Sequence, residues 1–159
     1  MTSLPASAER VMAAAREHGL ELEVIEYPDG TRTAPDAAAA VGCDVGQIVK
    51  SLIFAVDGDL VLALTSGSNR VDTAALTELA GGSTCDRADA DRVREITGYA
   101  IGGVPPFGHA NPVTAFLDPA LLDYDVVWAA AGTPRHVFPI DPTVLASITG
   151  AAIGSFAER

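Results

Sequence analysis

Lysine is almost missing from this chain: Lys50 is the only one among 159 residues, and the other nine of its ten basic residues are arginines. Positive charge is scarce altogether, with 21 acidic residues and a formal net charge of −11. That balance excludes a protein that grips nucleic acid by bulk electrostatics, because each phosphate contact draws on a cation of the protein. Long apolar runs are missing too. Apolar stretches such as Val126 to Pro134 fall well short of the ~18 residues of a membrane span, so no membrane partner is expected. Residues Met1 to Arg10 lack the basic start and apolar segment of a secretory signal. The only cysteines, Cys43 and Cys85, stand 42 residues apart and form no CxxC pair. They read as reduced thiols in a cytoplasmic protein, and neither has the ligand spacing of a zinc site, so no metal is expected. No GxSxG elbow, HExxH, GxxxxGK[ST] or helix-opening GxGxxG is present, and His18, His109 and His136 are scattered. Nothing announces a nucleophile with a paired base, and no cofactor is expected.

What is present suffices for one domain over residues 1–159, since 48 % of the residues are hydrophobic. Ser7 to His18 reads as a helix capped by Ser7 and stopped by Gly19. Leu20 to Tyr27 alternates as a half-buried strand, and Pro28 to Thr33 is a turn carrying Arg32. The alanine run 37–40 forms a second helix ending at Gly42, and Asp44 with Gln47 has capping-box spacing. Lys50 to Val56 and Leu60 to Leu64 form a hairpin around Asp57-Gly58. Asp72 to Leu79, with Asp72 as its N-cap, and Ala90 to Ile96 read as helices. Val113 to Leu117, Tyr124 to Ala130 and Arg135 to Ile140 read as strands. Asp141-Pro142 opens a helix to about Thr149, and a last strand covers Ala151 to Phe156. The hairpins favour a mixed, mainly antiparallel sheet in an α/β (α+β) domain over a doubly wound parallel sheet. Residues 98–112, with four glycines and three prolines, break every periodicity. Structureless segments of that length in compact domains are usually functional.

Four segments could carry chemistry. Lys50 stands at the mouth of the apolar strand Gln47-Ile48-Val49-Lys50-Ser51-Leu52-Ile53-Phe54; its compact ammonium suits a carbonyl, carboxylate or phosphate, or simply reaches water from a strand end. Gly102-Gly103-Val104-Pro105-Pro106-Phe107-Gly108 combines glycines that admit close backbone approach with prolines that stiffen the loop. It reads equally as an oxyanion-binding backbone or a tight structural turn. Trp128-Ala129-Ala130-Ala131-Gly132-Thr133-Pro134 is a small-residue turn that walls a pocket or closes a hairpin. Ser66-Gly67-Ser68-Asn69-Arg70-Val71-Asp72 carries a strand into a helix.

Together these segments resemble the YbaK and prolyl-tRNA-editing-domain family of aminoacyl-tRNA deacylases, over about residues 20–150. The resemblance implies a mixed, largely antiparallel β-barrel-like sheet surrounded by helices, and a free-standing enzyme that removes wrongly attached amino acids from tRNA, with tRNA for proline as the favoured substrate. It carries the essential lysine onto Lys50 and the glycine-x-x-x-proline loop onto Gly102 and Pro106. It also implies a substrate pocket drawing on Tyr27, Thr33, Ser51, Gly103, Pro105, Gly132 and Thr133. Lys50 would orient the substrate, and backbone N–H groups near Gly102 and Gly103 would hold the oxyanion. Ser51, where cysteine-specific members carry threonine, and a Gly132 turn without a serine-glycine-glycine-lysine pattern argue against cysteinyl specificity. The amino acid removed stays open. With so acidic a chain, contact is expected only with the acceptor end of the mischarged tRNA, aided by Arg87, Arg92 and Arg94 or by a docked aminoacyl-tRNA synthetase. A non-catalytic ligand-binding module, or a hydrolase of other small activated esters, would fit the same residues.

Overall fold

The computed structural model describes residues 4–27 and 33–158; the expected turn residues 28–32, Arg32 among them, lie outside the described residues. Helix α1 (Ala6–Glu17) buries Ala8, Val11 and Ala15 along one stripe, as the 3.6-residue period requires. It starts from Pro5 without a side-chain cap, so Ser7 sits inside the helix rather than capping it. The expected strand 20–27 shrinks to β1 (Ile25–Glu26). Leu22 is buried, but only these two residues find a ladder partner. Helix α2 (Ala34–Val41) is capped by Thr33, whose Oγ1 accepts the Asp36 N–H at 3.1 Å, and ends at Gly42 in the left-handed conformation. The Asp44–Gln47 capping box is present around a single 3-10 turn, Val45–Gln47.

Strands β2 (Val49–Val56) and β3 (Asp59–Ser66) form the expected hairpin, paired from Val49 opposite Ser66 to Val56 opposite Asp59. Its two turn residues both have positive φ, 49° at Asp57 and 87° at Gly58, as the tight hairpin turn demands. Helix α3 (Thr73–Leu79) is capped by Asp72. A short strand that the sequence did not signal, β4 (Cys85–Arg87), precedes α4 (Ala90–Thr97). Residues 98–113 form neither helix nor strand. Then follow β5 (Thr114–Leu117), a 3-10 turn (Pro119–Asp123), β6 (Val127–Ala130), β7 (His136–Ile140), α5 (Pro142–Thr149) and β8 (Ala152–Ile153).

The fold is α+β, with two sheets rather than one closed barrel. One sheet has the order β1-β7-β6, the other β4-β2-β3-β5-β8. Pairing is antiparallel throughout the first and across β4-β2-β3; β5 runs parallel to β3, and β8 parallel to β5. Those parallel pairs depart from the hairpin pattern because β3 reaches β5 through the long α3–β4–α4 crossover, which a two-residue turn cannot provide. The sheets pack face to face. Leu62 and Leu64 of β3, Leu117 of β5, Val127 of β6 and Phe138 of β7 share one core with Val11 and Leu145. Val61 and Ala63 face the other way, against Leu76 of α3 and Phe156. Each such buried aliphatic or aromatic side chain contributes roughly 1.5–3 kcal/mol.

One seam of the sandwich stays open. β4 covers β2 only from Phe54 to Val56, and at the other end Ile48 makes an isolated parallel bridge to Trp128 of β6. Between these points the outer edge of β2 faces a gap.

The cap on α3 gives a clean stability test. Asp72 accepts the Ala74 and Ala75 N–H groups at 3.0 and 3.2 Å. Asp72→Ala is expected to cost about 1 kcal/mol, read as a fall of about 2–4 °C in the thermal midpoint, with the gap beside β2 unaltered.

Candidate active site

The gap beside β2 is a cavity of about 700 Å³, and Lys50, Ser51, Thr33 and Gly102 line it together. Its apolar wall includes Ile48, Val104, Trp128 and Ala130, and Arg87 of β4 reaches its other end. Local structure explains each placement. Lys50 lies opposite Thr65 in the hairpin ladder, one step before β3 turns away at Ser66. Thr33 arrives as the cap of α2, and Gly102 as part of the segment between α4 and β5.

The Lys50 ammonium donates to the backbone carbonyl of Asn69 at 2.5 Å. The Asn69 side chain in turn donates from Nδ2 to Oδ2 of Asp118 at 2.9 Å. Burial pushes the Lys50 pKa below the ordinary lysine range; the Arg70 cation lowers it further, and the Asp118 carboxylate opposes both. Lys50 is therefore a half-buried cation with one proton engaged and its remaining donors free of partners among the described residues. Beside it, the Ser51 hydroxyl oxygen is buried and has no hydrogen-bond partner. A buried hydroxyl without a partner is unusual in a folded domain and is suited to meeting a polar group of a ligand.

The glycine loop supports the cavity through two different residues. Gly102 has φ +97°, is exposed, and has open space where a Cβ would stand. Its N–H has no partner among the described residues. Gly103 is buried, and its N–H already donates to Ala100 at 3.1 Å. Of the two expected donors, the Gly103 N–H is thus already engaged, whereas that of Gly102 is not. A Cβ on Gly103 would stand 2.8 Å from Cα of Thr133, so the role of this glycine is to let two backbones touch.

The remaining expected site residues do not line the cavity. Gly132 and Thr133 form the turn against which the glycine loop rests. Thr133 Oγ1 bonds His136 Nδ1 at 2.6 Å, and His136 Nε2 bonds Glu26 Oε2 at 3.1 Å, so the buried histidine ties this turn to β1. Tyr27 extends the β1–β7 pairing by donating its N–H to Arg135 at 2.8 Å. Pro105 is buried and its carbonyl accepts from His109 Nε2 at 2.7 Å, while Pro106 borders a separate cavity of about 250 Å³. Burial lowers the His109 pKa, which fits a neutral, structural imidazole.

Asn69 belongs to the fourth candidate segment, but the sequence does not single out Asp118 for the site. Asp118-Pro119 carries the same helix-start signature as Asp141-Pro142, and both aspartates do cap the turn that follows. That local signal was available for Asp118, but its reach to Asn69 was not.

Comparison with known proteins places the chain among editing domains. Residues 28–148 match the family described as the aminoacyl-tRNA editing domain. A solved structure assigned as a trans-editing enzyme for prolyl-tRNA synthetase is 49 % identical, with a TM-score of 0.93 over 99 % of this chain and 100 % of that one. The uncharacterized protein YwhH of Bacillus subtilis (strain 168) is 29 % identical over 130 residues, 81 % of this chain and 82 % of that protein. The proline–tRNA ligase of Desulforamulus reducens is 34 % identical over 92 residues, 58 % of this chain but only 16 % of the ligase. The chain thus corresponds to a small segment of the much longer ligase.

The two loop glycines are expected to respond differently to a methyl group. Gly103→Ala must push the loop off the Thr133 backbone, and overpacking of this kind costs about 1–3 kcal/mol. Gly102→Ala meets nothing and carries only the strain of positive φ, about 1–2 kcal/mol. Chemical denaturation of the two variants checks the order; an equally or more destabilised Gly102→Ala would contradict the loop contact.

Proposed function

The chain belongs to the aminoacyl-tRNA editing domain family, and from that membership we propose that it is a trans-editing deacylase that hydrolyses the ester of mischarged tRNA, with tRNA for proline as its substrate. The observation that carries the reading is the half-buried Lys50 ammonium facing the same cavity as the unpaired backbone of Gly102. The solved trans-editing relative and the ligase segment support the proline assignment. A cavity of about 700 Å³ has the size of a small-molecule site and suits the aminoacylated terminal nucleotide.

In this reading Lys50 orients the substrate through its free donors, while the Gly102 N–H faces the oxygen of the tetrahedral intermediate, a type of contact worth about 3 kcal/mol in the transition state. Water attacks the carbonyl carbon, and a group of the substrate itself takes up the proton that the water loses. The ester C–O bond breaks, and the tRNA oxygen leaves with a proton. Substrate assistance accounts for a site with no nucleophile–base pair. Ser51 and Thr33 offer polar contacts to the aminoacyl group. The second step of selection that such an enzyme provides is needed because size alone separates amino acids differing by one methylene by only about 1–3 kcal/mol.

The charge of −11 confines binding to the acceptor end. Arg87 at the cavity, with Arg92 and Arg94 on α4, supplies local cations, and a docked synthetase is the partner that would supply more. A cytoplasmic location follows from the substrate. Among the described residues no helix is long and apolar enough to cross a membrane.

Incubation with tRNA for proline charged separately with alanine, cysteine, serine and threonine tests the reading; release of none of them would leave a ligand-binding module. Lys50→Ala is expected to abolish release while changing stability by only about 1 kcal/mol. Lys50→Arg should also fail, because a planar fork does not fit a point-charge site. The cationic form is the working one, so release should decline as pH rises, through a midpoint below the ordinary lysine range because burial favours loss of the proton. Undiminished turnover in Lys50→Ala would remove Lys50 from the mechanism.

A further inference from the structure

We propose that Asp118 is a positioning residue for Lys50: its buried carboxylate fixes the Ser66–Asn69 segment so that the Asn69 carbonyl stands where the lysine ammonium can reach it. This rests on the reading of Lys50 as the group that meets the substrate.

Three N–H donors from three places converge on Asp118. Oδ2 accepts from the Ser66 backbone at 3.1 Å and from Asn69 Nδ2 at 2.9 Å, and Oδ1 accepts from the Ala120 backbone at 2.9 Å. Its own N–H donates to Leu64 at 2.9 Å, which anchors it to β3. The carboxylate therefore grips both ends of the four-residue passage from β3 toward α3, and that passage carries the acceptor of the Lys50 proton.

Capping alone does not account for this arrangement. Asp141 caps α5 through the same Asp-Pro signature, accepting the Thr143 N–H at 2.8 Å, and does so from the exposed surface. Asp118 performs the equivalent task at 2 % exposure. Burying a carboxylate is costly unless it is fully hydrogen-bonded, so a cap that needs no burial leaves the burial unexplained. The link to Asn69 and Lys50 explains it. The charged groups acting on Lys50 are Arg70, directly after the gripped segment, and Asp118; only Asp118 favours the ammonium. Thr65, opposite Lys50 in the ladder, carries no charge.

Because Lys50 is the chain's only lysine, its environment can be read without reference to turnover. Lysine labelled with 13C at Cε reports a single side-chain signal, followed against pH in the full chain. Asp118→Asn keeps the shape and removes the charge. It is expected to move the lysine midpoint to lower pH than in the unsubstituted protein, and to reduce kcat/KM for mischarged tRNA by about tenfold or more. Asp141→Asn, altering the exposed cap, should leave the lysine midpoint in place and turnover within about twofold. Should Asp118→Asn fail to fold, Asn69→Ala decides: it deletes the Nδ2 link but keeps the carbonyl, and is expected to lower both the lysine midpoint and kcat/KM. A folded Asp118→Asn, or failing that Asn69→Ala, with an unmoved lysine midpoint and near-normal kcat/KM overturns the proposal. If the unsubstituted protein releases no amino acid, the deacylase reading fails, and the lysine titration still decides the link between Asp118 and Lys50.

Discussion

The ladder between β2 and β3 is the constraint on which the site depends. Its eight pairs place Lys50 opposite Thr65 and bring the hairpin's open end, rather than its Asp57-Gly58 turn, to the cavity. Side chains alternate across a strand, so a slip of one residue would exchange the two faces of both strands. Here a slip is costly on either face, because β3 is buried on both: Leu62 and Leu64 lie in the core between the sheets, and Val61 and Ala63 lie against α3. Register and Lys50 placement are therefore fixed by the same burial.

That rigidity is used at an edge that stays open. β4 is three residues long and covers only the far end of β2, and among the described residues the one bridge from β6 to this edge is Ile48–Trp128, just before β2 begins. An uncovered strand edge is ordinarily a liability for aggregation. Here helix α2 and the glycine loop flank the gap, so that it forms a bounded cavity instead of an exposed edge. The loop holds its position by backbone contact: Gly103 rests on Thr133, and the turn carrying Thr133 is held through His136 to Glu26. Several residues expected to touch a ligand thus serve behind the wall.

Electrostatics inside the cavity runs against the character of the whole chain. An acidic protein of net charge −11 places Lys50 and Arg87 on one concave surface, where limited solvent access preserves their effect on an approaching anion or carbonyl. The desolvation that makes Lys50 effective also weakens its hold on its proton, and Asp118 is the group that opposes this.

The sequence by itself determined the features that are local. Asp57-Gly58 required a tight turn, Asp72 and Asp141-Pro142 announced helix starts, and the β-rich runs on either side of Asp57-Gly58 marked a hairpin, because turn geometry, capping and strand propensity depend on neighbours a few residues away. The solitary Lys50 and the glycine–proline loop stood out for similar reasons, and both reach the cavity. Tertiary structure alone decided what depends on distant segments meeting. It cut the expected 20–27 strand to the two residues that find partners in β7, added β4 on three residues with no alternating pattern, and made β5 parallel through a long crossover. It also separated Gly102, which lines the cavity, from Gly103, which packs on Thr133, although the two are identical and adjacent in the chain. Asp118 carries the lesson furthest. Its capping of the next turn is written in the Asp-Pro pair, but its bond to Asn69, 49 residues earlier, exists only because β3 and β5 lie side by side, and pairing between strands that far apart leaves no local mark on either.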